Sequence, residues 1–263
     1  MKIRQSVSLK EFSAIRIGGT AEIVYFPETI AELTELLEKN LPVIGGGTNV
    51  FFGDIPALIC TEYLDKITET KNSVEAECGV FLEKLFDFAA GVPATVGGGV
   101  YMNFGAFGFE LKDFLVSALV WRNGVTENLP VDKLCLGYRS SGFSGIVLSA
   151  VFRKKQLEKK AEYLRQRQDK MPWSQPSIGS IFQNPEGQSA GAFIEQAGLK
   201  GYVYKDLQVS EKHANIIVNN GAASAEDILF LIDYIKKTVK TKTGIELQNE
   251  VKYIGGVVVV DER

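Results

Sequence analysis

Histidine is almost missing from this 263-residue chain, where His213 is the only one. A single histidine cannot build a histidine metal cluster, and any Ser-His-Asp triad would have to use it. Cysteine is scarce as well: Cys60, Cys78 and Cys135 are odd in number, far apart and without CxxC spacing. That argues against a disulfide framework and against a metal site, and predicts buried, reduced thiols. No stretch approaches the roughly 18 apolar residues a membrane-spanning helix needs, and the late run at 257–260 is far shorter. The opening MKIRQSVSLKEFSAIRIGG lacks the apolar core of a signal peptide, so the expectation is a cytoplasmic protein with no membrane association. A large charge of one sign is absent too. The net charge of −3 gives no global reason to expect a nucleic-acid partner, though it leaves room for a local basic pocket. Internal repeats and low-complexity segments are absent.

What remains is an ordinary globular composition, 45% apolar and 23% charged, of a length that predicts roughly two domains with room for a small third. The chain opens in α/β fashion: a strand at 21–26, a helix at 29–39 with Ile30, Leu33, Leu36 and Leu37 on one face, and a strand at 41–44. Strands follow at 57–61 and 74–78, then a helix at 81–90 with Leu82, Leu85, Phe86 and Ala89 inward. Asn123-Gly124 marks a hairpin between strands at 116–122 and 125–129, followed by a strand at 146–153. The charged stretch 154–170, ended by Pro172, reads as a solvated linking helix. Beyond it come a strand at 177–182, a helix at 190–197 closed by Gly198, and a strand at 213–218. An amphipathic helix at 225–241 stops at Gly244, and the chain is extended at 245–253.

Five pieces could carry chemistry. Gly45-Gly46-Gly47-Thr48-Asn49 follows a strand directly, where glycines let backbone N–H groups approach a phosphate. It is neither GxGxxG nor a Walker loop, and alone it reads as a tight turn. The stretch from Gly91 to Gly99 holds four glycines, with Val92, Pro93 and Val96 as an apolar wall. Alone it reads as a compact surface loop, but two such loops in one α/β region suit a large phosphate-bearing cofactor. Tyr138-Arg139-Ser140-Ser141 offers a guanidinium, a bidentate binder of carboxylate or phosphate, although a lone arginine is more often a surface feature. In Gly179-Ser180-Ile181-Phe182-Gln183-Asn184-Pro185 the serine could be a nucleophile, a proton donor or a helix cap, and in isolation the cap is the better reading. Asn249-Glu250-Val251 places a carboxylate on a late strand, where it is ordinarily inert.

The order of these pieces resembles the UDP-N-acetylenolpyruvoylglucosamine reductase family (MurB-type) over nearly the whole chain. Arg16-Ile17-Gly18-Gly19, the stretch from Val100 through Asn103 to Gly108, Gly198-Leu199-Lys200-Gly201 and Val209 to Asn215 extend the likeness. The resemblance implies a fold of the vanillyl-alcohol-oxidase class (PCMH-like): FAD-binding subdomains at 1–60 and 61–155, a C-terminal α+β substrate domain at 156–255, and a tail at 256–263. The spacing after Arg139 resembles the shorter type, without an inserted tyrosine loop. Non-covalent FAD is implied, held by Gly45, Gly46, Gly47, Thr48, Asn49, Val92, Pro93, Thr95, Val96, Gly97, Gly98 and Asn103, with NADPH as co-substrate. Ser180 matches the proton donor, Arg139 and Glu250 the pair that holds and polarises a substrate carboxylate, and Lys170 and Asn184 the contacts to the UDP-sugar. A carboxylate beside a carboxylate repels, so Glu250 is expected to be protonated or tied to a cation in the complex. His213 is expected to be structural and a monomer is the favoured state.

This chain departs from the usual pattern in a shorter connection between Val80 and Gly91, in Pro93-Ala94 for proline-glycine, in Met171-Pro172 and in Tyr204-Lys205-Asp206-Leu207. Two other readings stay open here. One is a flavin oxidoreductase of the same fold on another substrate, separated by which compound reoxidises the reduced enzyme. The other is a non-catalytic nucleotide-sugar-binding homologue, which would lack flavin absorbance.

Overall fold

A computed structural model describes residues 1–154, 158–185 and 187–256; the apolar run at 257–260 and part of the linking stretch lie outside them. The chain divides into two compact units. The first holds Met1–Gln5, Ile23–Gly46 and Ala57–Gln166; the second holds Ser6–Glu22, Gly47–Pro56 and the chain from Arg167 onward. Compactness therefore divides the chain differently from the contiguous segments 1–60, 61–155 and 156–255. A long-range pairing shows why for one segment: Val50–Phe52 lies parallel to Lys252–Ile254, in register Lys252↔Val50 to Ile254↔Phe52.

The first unit begins as the sequence dictates. Thr29 caps α1 (Ile30–Leu37) by accepting the Glu32 N–H, and Leu33, Leu36 and Leu37 are buried with Ile59, Leu64, Cys78 and Leu148. The short strand Val43–Ile44 pairs parallel to Ile55–Cys60 through Val43↔Ile59 and Ile44↔Cys60. It sits at one end of a four-stranded sheet that continues through Thr20–Phe26 to Lys2–Ser8. A five-stranded antiparallel sheet follows, in the order Val125–Pro130, Leu115–Arg122, Ile146–Arg153, Ser73–Glu77, Ile67–Glu69. Its hairpin turns at Asn123 and Gly124, with φ of 50° and 77°, the positive pair that a two-residue turn needs.

Two expectations change here. The stretch 81–90 forms short 3-10 turns at Leu82–Lys84 and Asp87–Ala89 instead of an α-helix. Every residue from Leu85 to Ala90 is buried. A single α-helix lying on one surface buries a stripe, not six consecutive residues, so the chain breaks into turns that sink into a cluster of aromatic rings. Phe86 meets Phe88, Phe114 and Phe152 at centroid distances of 5.2, 5.3 and 5.2 Å. Conversely, the second glycine stretch is partly helical: α2 runs from Val96 to Tyr101. Its glycines permit close approach, since a Cβ on Gly99 would lie 2.5 Å from Leu82 Cδ1.

The second unit has a four-stranded antiparallel sheet in the order Ser177–Ser180, Ile216–Asn219, Leu207–Val209, Val203–Tyr204. The charged linking segment forms α3 (Lys160–Lys170), which begins in the first unit. Helix α4 (Ala190–Gln196) ends before Gly198, whose φ is 76°. Helix α5 (Ala225–Thr243) starts with a Ser224/Asp227 capping box and stops at Gly244 in the left-handed region. Ile228, Leu231, Ile232, Ile235 and Val239 of α5 join Ile178, Ile181, Phe182, Ile194 and Leu199 in this unit's core. No helix among the described residues is long and apolar enough to cross a membrane.

Candidate active site

In the first unit the two glycine-bearing segments touch. A Cβ on Gly45 would lie 2.0 Å from Thr95 Oγ1, and one on Gly46 1.7 Å from the Pro93 carbonyl oxygen. Only glycine allows that approach, which is why the strand Val43–Ile44 runs into them. Thr95 is 4% exposed, yet its hydroxyl has no hydrogen-bond partner among the described residues. A buried hydroxyl left without a partner costs about 1–3 kcal/mol, so this one is suited to a polar group brought by a ligand. Val92 is half-buried and Val96 buried. The Gly97 N–H donates to the Cys78 carbonyl, and Gly98 is exposed.

Arg139 stands at the tip of a tight turn closed by the Gly137 N–H donating to the Ser140 carbonyl. Its φ is 51°, a left-handed conformation that costs a side-chain-bearing residue about 1–2 kcal/mol. One guanidinium nitrogen, Nη2, donates to the Gly105 carbonyl at 2.7 Å, and the guanidinium carbon lies 5.3 Å from the Tyr138 ring centre. Asn103 is wholly buried. Its Nδ2 donates to the Gly137 carbonyl at 2.8 Å and to Glu110 Oε2 at 3.2 Å, and its Oδ1 accepts the Lys112 N–H at 3.1 Å. Its side chain is thus committed within the protein.

In the second unit the rest of the first glycine loop continues. Gly47 has φ 64°, and a Cβ there would lie 2.0 Å from the Phe12 carbonyl. Thr48 is half-buried. Asn49 donates from Nδ2 to the Glu250 carbonyl at 3.0 Å, and its own carbonyl accepts the Lys252 N–H at 2.9 Å. Asn49 therefore grips the chain at Glu250 and again two residues beyond it, at the start of the strand Lys252–Ile254, a link across 201 positions that no local sequence signal announces.

Ser180 ends its strand, in register with Ile216, and the next helix, α4, begins only at Ala190. Ser180 therefore caps no helix, and that reading falls. The Glu250 N–H donates to the carbonyl of Ile181 at 2.8 Å, and the Gln183 N–H to the Gln248 carbonyl at 2.9 Å. These two bonds lay the segment after Ser180 alongside the one bearing Glu250, and both residues are half-buried. Asn215 is a residue to which sequence reasoning gave no role. Buried, it accepts the Phe182 N–H on Oδ1 at 3.0 Å and donates from Nδ2 to the Phe182 carbonyl at 2.7 Å. The Ile181 N–H goes to the Asn215 carbonyl at 2.9 Å. Its only forewarning was its place at the end of the VSEKHAN motif.

His213 Nδ1 accepts the Asn215 N–H at 3.3 Å, and burial pushes its pKa down, as suits a structural, neutral imidazole. Lys170 ends α3 and is exposed. Asn184 is exposed and accepts the Ala190 N–H on Oδ1 at 3.0 Å, which leaves its NH₂ for other partners. All three cysteines are unpaired, but Cys135 is exposed, against the expectation of burial, in a left-handed turn with φ 47° after Leu134. Burial drives the Cys60 and Cys78 thiols up to about 12.

The sequence profile of the UDP-N-acetylenolpyruvoylglucosamine reductase C-terminal domain matches residues 171–254. The UDP-N-acetylenolpyruvoylglucosamine reductase of Petrotoga mobilis is 38% identical over 285 positions, covering 94% of this chain and 93% of the relative. That of Caldicellulosiruptor saccharolyticus is 38% identical over 283 positions, covering 94% and 90%. Alignments longer than the chain itself mean that these relatives carry segments this chain lacks. The crystal structure of the reductase (MurB) from Thermus caldophilus superimposes with a TM-score of 0.82 at 29% identity, covering 96% of this chain and 100% of the other.

Proposed function

The chain belongs to the UDP-N-acetylenolpyruvoylglucosamine reductase family, and from that premise we propose how its residues carry out the reaction. It is an FAD-dependent oxidoreductase, a UDP-N-acetylmuramate dehydrogenase, acting on a UDP-sugar in peptidoglycan synthesis. Its fold is that of the solved family member: a flavin-binding fold with a C-terminal substrate domain. The observation that supports a flavin pocket best is the partnerless buried Thr95 hydroxyl against Gly45. These residues fit a cofactor that brings its own polar groups between close-set backbones. Gly45, Gly46, Gly47, Thr48, Asn49, Val92, Pro93, Thr95, Val96, Gly97 and Gly98 are assigned to holding it without a covalent bond. Residues 1–60 and 61–155 are assigned to FAD and 156–255 to the UDP-sugar; a monomeric, cytoplasmic enzyme is the accompanying reading.

FAD reduced by NADPH supplies the hydride for the enolpyruvyl double bond. The protein must then meet the negative charge that builds beside the substrate carboxylate. Arg139, its guanidinium held against the Gly105 carbonyl, supplies fixed positive charge for it, and charge placed in advance needs no reorganisation at the moment of reaction. Glu250, positioned by Asn49 and Ile181, helps hold that carboxylate in its protonated form or tied to a cation. Ser180 delivers a proton from Oγ to the carbanion; so basic an acceptor needs no strong acid. Lys170 and the free NH₂ of Asn184 are assigned to the UDP-sugar.

Stopped-flow absorbance of Ser180→Ala tests the assignment, because flavin reduction by NADPH builds no carbanion while the second half-reaction does. We expect the first to run at nearly the wild-type rate and the second to slow by about 10²- to 10⁴-fold, the usual contribution of a general acid. Wild-type reoxidation by substrate would remove Ser180 from the role.

A further inference from the structure

The segment Asn103–Gly105 meets the turn that carries Arg139 at two points. At the guanidinium end, the Gly105 carbonyl accepts Nη2 at 2.7 Å, and a Cβ on Gly105 would lie 3.0 Å from Nη1. Gly105 is thus a seat on which the guanidinium rests, in a hairpin where Gly105 opposes Glu110. At the backbone end, Asn103 Nδ2 donates to the carbonyl of Gly137, two residues before Arg139. The N–H of the same Gly137 closes the turn on the Ser140 carbonyl.

Two members of this assembly hold conformations that ordinary residues avoid. Asn103 has φ 42° and Arg139 φ 51°. Such backbone persists only where the surroundings over-determine it, and it gathers at functional positions. Asn103 supplies that surrounding. Both of its amide protons are committed, to Gly137 and to Glu110. Its oxygen takes the Lys112 N–H, so the amide cannot rotate without losing a bond. Glu110 is held in turn by Lys112 Nζ at 2.6 Å.

We propose that Asn103 is the positioning residue for Arg139: its buried amide fixes the strained turn through the Gly137 carbonyl while Gly105 seats the guanidinium, so that the arginine is aimed before the substrate arrives. This rests on the reading that Arg139 serves the substrate carboxylate. It gives Asn103 a role distinct from contact with the flavin.

A double-mutant cycle tests it. Asn103→Asp keeps the acceptor for Lys112 and removes both amide donors; Asn103→Gly suits the positive φ, so it keeps the backbone unstrained while deleting the amide. Each is made alone and together with Arg139→Ala, and each protein is followed by flavin absorbance and by anaerobic reoxidation with substrate. Misplacing a catalytic group by an ångström costs up to about 10²-fold, so each Asn103 variant alone should slow reoxidation by about tenfold or more. In the Arg139→Ala background the same changes should cost less than about twofold, because the group they position is gone. Bound flavin should remain stoichiometric in all of them. An equal loss in both backgrounds, or loss of flavin from the Asn103 variants, overturns the inference. If Arg139→Ala itself reoxidises at the wild-type rate, the role given to Arg139 fails first, and the cycle shows it separately.

Discussion

Arg139 and Ser180 are held by two different kinds of structure. The Arg139 turn, in the first unit, is irregular backbone with positive φ at Asn103, Phe107 and Arg139, pinned by one buried amide. Ser180, in the second unit, ends a strand whose register shifts between Ser177 and Ser180, where Gly179 takes φ 73° without a side chain to strain, and the chain just after it is fixed by pairing to the Glu250 segment and by Asn215. Stored strain places one group, and satisfied hydrogen bonds place the other. The first arrangement aims a side chain that no regular strand or helix would point, at a cost in stability. The second costs little but depends on every buried amide being present.

If that contrast holds, the largest effect on stability belongs to the second unit. Asn215→Ala leaves the Phe182 N–H and carbonyl without their partners in a buried position, each worth about 1–3 kcal/mol. Urea unfolding should show a loss of about 3 kcal/mol, and a loss below about 1 kcal/mol would mean that the pairing alone holds the Ser180 segment. The strain in the first unit is read by comparing two variants that both lack the guanidinium. Arg139→Gly should be more stable than Arg139→Ala by about 1 kcal/mol, because glycine accepts φ near 51° freely; equal stabilities would mean that the turn is not strained. Thr95→Val addresses the flavin pocket. Removing a hydroxyl with no protein partner should raise the stability of flavin-free protein by about 1 kcal/mol and weaken FAD by up to about tenfold. Unchanged flavin affinity would show that the hydroxyl does not face the cofactor.

The smallest effect is a pH dependence. Burial depresses the pKa of His213 below its ordinary 6.5, so the unfolded chain binds a proton there before the folded one does. Its contribution to stability is present above about pH 6.5 and is lost as pH falls from there toward the folded value. His213→Gln cannot take up that proton, so its melting temperature should fall less than that of the wild type between pH 7 and pH 5. Parallel curves would show that His213 titrates alike in both states.

Much of the fold was legible because its signals are local. The Ser224 cap, the apolar spacing from Ile228 to Val239 and the stop at Gly244 act within a few residues of one another, and α5 ends within two residues of its expected bound. Asn123-Gly124 likewise fixes its hairpin alone. The stretch 81–90 misled because its periodicity was that of a helix while its surroundings buried nearly all of it, a fact set by Phe104, Phe114 and Phe152 arriving from elsewhere. The residues proposed for the site were legible as motifs in a familiar order, but their partners were not. Nothing near Asn49 indicates Glu250, nothing near Asn215 indicates Phe182, and nothing near Asn103 indicates Gly137.

The sequence by itself determined the positions of α1, α4, α5 and the Asn123-Gly124 turn, the family and the residue types available for catalysis, since caps, glycines and apolar spacing act through neighbours in the chain. Only the tertiary structure decided which buried amide holds which carbonyl, that Ser180 caps no helix, and that the Thr95 hydroxyl is left without a partner. Those choices belong to surfaces brought together across tens to hundreds of residues, where a hydrogen bond is selected by which groups are shut away from water together.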